Sequence, residues 1–153
     1  MDSPLFWIDN NVLNYLCKAG CLDTVLRNAS YRFVTTAFIQ LEAERAVSAG
    51  VQELRSALDA MQRGDITVYD VTAPPLDTLL QPETGLGLSD ESLARCARHY
   101  GGRVLTHDAA LIRYLHKKRI GCLPFRKFLE LASAEGWLQE EKVLQLKRLA
   151  RIL

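Results

Sequence analysis

Short apolar strands alternate with longer stretches of helical period along this chain, and no other feature narrows the fold as far. "LFWID", "YRFVTT", "DITVYDV" and "RVLTH" read as strands rich in aromatic and branched residues. Between them, "NVLNYLCKAG" reads as a helix stopped by Gly20, and "CLDTVLRNA" as a second short helix. The chain from Ala37 to about Arg63 reads helical, with a break near Gly50. "SDESLARCARHY" predicts a helix with Ser89 as its N-cap. "DAALIRYLHKK" predicts another, "IGCLPF" a short final strand, and two helices follow near 125–135 and 139–151. The stretch "TAPPLDTLLQPETGLG" holds three prolines and two glycines, so it reads as a loop with one helical turn. Strands joined by helices pair in parallel and are covered on both faces. The prediction is an α/β fold: a three-layer α/β/α sandwich around a mainly parallel sheet of four or five strands.

The length of 153 residues suits one domain with a real core, spanning 1–153, and there are no internal repeats, low-complexity tracts or linkers to divide it. Hydrophobic residues make up 48% and charged residues 24%, which excludes a disordered chain. No apolar run approaches the ~20 residues of a membrane helix, and no secretory signal is apparent at the N-terminus. A cytoplasmic protein without membrane association is expected. Cys17, Cys21, Cys96 and Cys122 lack a zinc-ligand spacing and read as free, mostly buried thiols.

In parallel sheets, functional groups collect beyond the carboxyl ends of the strands. Four acids stand in such positions. Asp9 follows the first strand, Asp108 follows "RVLTH", Asp90 opens a helix after a Gly-containing loop, and Glu42 lies six residues beyond Thr36. Each alone has an ordinary explanation: a cap, a turn, a first-turn acid favoured by the helix dipole, or a surface Glu. Together they lie where one sheet edge could converge them. Close carboxylates repel and need cations, and hard oxygen donors select Mg²⁺ or Mn²⁺.

The blocks "FWIDNNVLNYL", "VTTAFIQLEAE", "GLSDESLARCA" and "VLTHDAALI" resemble, in order and spacing, the four acidic blocks of the PIN-domain nucleases, including VapC-like toxins. The resemblance spans roughly residues 5–125. "CLPFRKFLELASAEGWL" is also similar to the tail of some PIN proteins. It implies that Asp9, Glu42, Asp90 and Asp108 bind divalent metal and catalyse metal-dependent cleavage of RNA. It implies supporting polar roles for Thr36 and Thr106 at strand ends, and for Asn10 and Asn11 after the first acid. Glu42 is chosen over Glu44, and Asp90 over Glu91, from the block spacing. Many relatives carry a further acid just after the Asp108 position. Here Ala109, Ala110, Leu111 and Ile112 follow, which leaves one metal or two open.

Net charge is +1, yet it is unevenly spread. Residues 103–127 carry seven Lys or Arg and one acid, Asp108. Such runs are usually solvated faces; a polyanionic partner is the sharper alternative. On the nuclease reading, Arg113, Lys117, Lys118 and Arg119 hold the RNA backbone beside the acids. A metal would polarise the scissile phosphate and activate a water, with Asp108 or Asp90 orienting it. Expected partners are an RNA substrate, an antitoxin protein if the chain is one half of a toxin–antitoxin pair, and a second copy if the apolar stripe of the last helix, 139–151, is an interface. That stripe packs on its own core otherwise. Two rivals are a PIN-like domain that binds RNA or a partner without cutting, and a phosphorylated-Asp receiver. The receiver lacks its paired acids after the first strand and its well-placed Lys.

Overall fold

The computed structural model describes residues 4–70 and 86–152. Five strands form one sheet: β1 (Leu5–Ile8), β2 (Arg32–Thr36), β3 (Thr67–Tyr69), β4 (Arg103–Thr106) and β5 (Cys122–Pro124). Their order is β3-β2-β1-β4-β5, and every pair is parallel. The helices are α1 (Asn10–Lys18), α2 (Leu22–Asn28), α3 (Ala37–Ser48), α4 (Arg55–Arg63), α5 (Leu88–Tyr100), α6 (Ala109–Lys117), α7 (Phe125–Ala134) and α8 (Glu140–Leu149). The three-layer α/β/α sandwich is therefore present, with five strands.

β1 is central, so both faces of its "LFWI" are covered and it carries no polar alternation. Phe6 points to one face, against Tyr31, Phe33 and Phe128 of α7. Trp7 points to the other, between Tyr69 and Tyr100 at the end of α5. Its indole Nε1 donates to the Gly101 carbonyl at 2.8 Å, so the ring carries no unsatisfied buried donor. The long helical stretch breaks where expected: α3 stops at Ser48, and a 3₁₀ turn at Gln52–Leu54 restarts it as α4.

One capping expectation is corrected. α5 begins two residues early, with Gly87 as its N-cap and no side-chain cap bond. Ser89 lies in the first turn instead, where its carbonyl accepts from the Ser92 hydroxyl at 2.6 Å. Leading into it, the Pro- and Gly-rich stretch expected to be a loop falls mostly outside the described residues. The last helix packs on α7 and α1. Val143 and Leu146 are buried and Leu149 half-buried; only Leu144 of the apolar stripe is exposed. Lys142 Nζ donates to the Ala19 carbonyl at the end of α1 (2.8 Å), which ties α8 down further. Among the described residues no helix is long and apolar enough to cross a membrane.

Candidate functional site

The strand order reverses direction between β1 and β4, which makes the gap beyond their carboxyl ends the switch point of the sheet. Register sets what stands there. Trp7 pairs with both Val34 and Val104, and Ile8 with Leu105, so the next residue, Asp9, lies level with Thr36 and Thr106. The Asp9 N–H continues the ladder to the Leu105 carbonyl at 3.2 Å. Here the chain turns into α1, and one carboxylate oxygen of Asp9 caps that helix by accepting from Val12 N–H (3.1 Å). The ordinary reading of Asp9 is thus correct for Oδ1. Its Oδ2 does something else: it accepts from the Thr106 hydroxyl across the switch point. Thr106 Oγ1 in turn accepts from the Asp108 N–H (3.1 Å), so its own proton is free to be aimed at Asp9.

Asp108 repeats the pattern on β4. It N-caps α6 by accepting from Leu111 N–H at 3.0 Å. Asp90 comes from the first turn of α5, half-buried. Burial, then the negative charges of Asp9, Asp108 and Glu42, push its pKa up to about 6. Asp9 is also raised to about 6, because it is buried; hydrogen bonds from Thr106, Val12 and Asn11 oppose the rise, and Asp108 adds to it. Asp90 thus lies in the field of Asp9, Asp108 and Glu42, and Asp9 in that of Asp108.

Asn10 and Thr36 hold the other two elements in place. Asn10 Nδ2 donates to Glu42 Oε1 and to the Ile39 carbonyl, both at 3.0 Å, which fixes Glu42 of α3 against the start of α1. Thr36 caps α3 by accepting from Ile39 N–H (3.3 Å) and lies 2.7 Å from Ser92 Oγ. Since Ser92 gives its proton to the Ser89 carbonyl, Thr36 is the donor in that pair. This contact anchors the first turn of α5, and Asp90 with it, to the end of β2. Ser92 was invisible in the sequence, because a hydroxyl pair separated by 56 residues leaves no local pattern.

The neighbouring acids are placed differently. Glu91 is buried in an ion pair with Arg95, one turn on along α5, while Asp90 faces the other acids. Glu42 and Glu44 are both exposed, and it is Glu42 that Asn10 holds. The four cysteines are free; Cys21 and Cys96 are buried, Cys17 and Cys122 half-buried. Burial pushes all four thiols up, to about 11 for Cys17, Cys21 and Cys122 and about 12 for Cys96, so none is a ready thiolate.

The basic residues are not gathered beside the acids. α6 connects two parallel strands, so it must run back across the sheet, away from Asp108. Arg113 lies part of the way along it. Lys117, Lys118 and Arg119 lie at its far end, about 13 Å or more from the Asp108 end at 1.5 Å per residue. A residue the sequence did not single out is His107, between Thr106 and Asp108. Its ring packs between Tyr15 and Phe125, and its Nε2 lies 2.8 Å from the Ala150 carbonyl at the end of α8.

The donor set suits a hard cation: up to four carboxylates, with the buried Oδ1 of Asn10 left without a hydrogen-bond partner among the described residues. Among those residues, however, no three His, Cys, Asp or Glu side chains are gathered tightly enough to enclose a metal ion as they stand. The acids converge to within electrostatic reach and stop there.

No family model and no curated protein matches the chain. Among solved structures, it is similar to PAE2754 from Pyrobaculum aerophilum, at 23% identity and a TM-score of 0.61, over 88% of this chain and 99% of that one. At that identity the likeness establishes the shared fold.

Proposed function

We propose that the protein is a metal-dependent endoribonuclease of PIN type, hydrolysing RNA phosphodiester bonds. The observation that carries this reading is the switch point itself, where register sets Asp9 level with Thr106 beside Asp108, and Asp90 lies in the field of Asp9, Asp108 and Glu42. A structural cap has no need of three further carboxylates around it. Like charges kept together at a cost to the apo fold are best explained by a cation that offsets them. Asp9, Asp90 and Asp108 would hold Mg²⁺ or Mn²⁺, with Glu42 beside them. When bound, such an ion neutralises phosphate charge and lowers the pKa of water.

The chain's own residues supply placement. Thr106 keeps the Asp9 carboxylate turned across the switch point, and Asn10 fixes Glu42. The Thr36–Ser92 contact holds Asp90 over the strand ends. Asp90 or Asp108 would take the proton of the attacking water. A second reading, a relative that binds RNA or a partner without cutting, draws on the separation of the carboxylates and on the alanines after Asp108.

The test is cleavage of a labelled single-stranded RNA with Mg²⁺, with Mn²⁺ and with a chelator. Wild type should cut only with metal, and Asp9→Asn and Asp90→Asn should each lose at least about 100-fold. RNA that binds but stays intact under every metal would leave the second reading standing.

A further inference from the structure

The solvent-facing residues of α6 form one continuous stripe. Leu111 and Leu115 are fully buried, and the exposed positions are Ala109, Ala110, Arg113, His116 and Lys117. That spacing is one helical face. It starts beside Asp108, crosses two alanines that offer low relief and no charge, and reaches Arg113 and then Lys117, one turn apart. Lys118 caps the helix, and Arg119 takes up a left-handed turn at φ 57, so two more exposed cations follow directly. No acid lies on the stripe after Asp108. None of Arg113, Lys117, Lys118 and Arg119 enters an ion pair among the described residues. Cations spent on stability would be expected to have partners; these four face water along a line that ends at the carboxylates.

We propose that the exposed face of α6 is a track for a single-stranded polynucleotide, which leaves the acidic edge at Asp108 and runs to Lys117, Lys118 and Arg119. The inference rests on the nuclease reading for what happens at the acids, and on charge complementarity and continuity with Asp108 for the track itself. It has a consequence that cations beside the acids would not have. The distal three stand about 13 Å or more along the helix, so they meet only a strand several nucleotides longer than the scissile pair. The site selects polymers over short fragments, and phosphate contacts of this kind do so without reading bases.

The experiment measures binding of fluorescent single-stranded oligoribonucleotides, a trinucleotide and a longer oligomer, across a salt series in chelator. Metal-free binding separates this test from the nuclease test: the track can hold RNA even if nothing is cut. Changing Lys117, Lys118 and Arg119 to Ala should lower the salt slope for the long oligomer by about 2, at roughly 0.7 per lost single-strand phosphate contact. Long-oligomer affinity should fall at least about tenfold at low salt, while the trinucleotide, too short to follow the track, should bind weakly to both proteins. A control lacking Lys18, Arg27 and Arg55, exposed on α1, α2 and α4, removes the same charge and should change little. The proposal is overturned if the control lowers the slope equally, if the trinucleotide binds wild type as tightly as the long oligomer, or if an acidic polypeptide displaces the oligomer as well as RNA does. The last result would assign the basic end to a protein partner.

Discussion

The two edges of the sheet are built on opposite terms. At the amino ends of the strands, backbone packs on backbone. A Cβ on Gly102 would stand 2.5 Å from the Leu5 carbonyl oxygen, and one on Gly121 2.3 Å from the Gly102 oxygen. At the carboxyl ends, register leaves Asp9 buried beside Asp108, and Asp90 stands in the like-charged field of Asp9, Asp108 and Glu42. One edge is optimised for closeness. The other keeps groups that work against the fold. A protein tolerates such an edge where chemistry needs it, and that contrast, rather than any single acid, locates the function.

The contrast can be broken most strongly at the close-packed edge. Gly102→Ala must accept both a φ of 93 and a backbone clash, and should lose about 3 kcal/mol in urea unfolding. Gly64→Ala, with a φ of 84 but open space around its Cβ, should lose only about 1 kcal/mol. Equal losses would mean that strain alone, without packing, governs this edge.

The acidic edge should respond to pH in the opposite sense to a salt-bridged carboxylate. Asp9 and Asp90 hold their protons to about pH 6, above the ordinary 3.8. Between those values the folded state binds more protons than the unfolded one, so stability falls as pH rises through this window and is flat above it. For Asp9 the loss is roughly 3 kcal/mol at 1.36 kcal/mol per pH unit. Apo protein should therefore be more stable at pH 4.5 than at pH 7 as far as these two groups decide it, and Asp90→Asn should flatten the curve. Urea midpoints across the range measure both; a wild-type curve rising through the window would mean the acids are paired rather than repelled.

A smaller effect tests orientation. Thr106→Val keeps the shape of the strand end but removes the donor to Asp9 Oδ2 and the acceptor for Asp108 N–H. It should cost about 1–2 kcal/mol and raise the Asp9 pKa further, readable by carboxyl NMR titration. An unmoved Asp9 would show that the hydroxyl only fills space.

Much of this was legible in the sequence, and the divide follows range of interaction. Strand–helix alternation is local, so the parallel sheet could be read from period and breakers. Asp9 and Asp108 could be read because a strand end is a local event. The start of α5 was misread at Ser89 because a cap is decided by one dihedral pair, and Gly87 took the extended conformation there without a side-chain bond. Ser92 and His107 could not be read at all: their partners, Thr36 and the Ala150 carbonyl, are remote in sequence. The basic segment could be read as charge, but not how far its end lies from the acids. Proximity to Asp108 in sequence became distance along a helix, since a parallel crossover carries its residues away from the strand end.

The central claim is that the acidic edge is a cation site kept at the expense of the apo fold. Its most direct test is the thermal midpoint of the protein at pH 8, titrated with Mn²⁺, for wild type and Asp90→Asn. Without metal, Asp90→Asn should melt above wild type, because a repelling charge is gone. With Mn²⁺ at about 100 times its Kd, wild type should gain roughly 5–10 °C, saturably, and Asp90→Asn much less. A wild-type midpoint that Mn²⁺ leaves in place, or moves no more than it moves Asp90→Asn, would contradict the account.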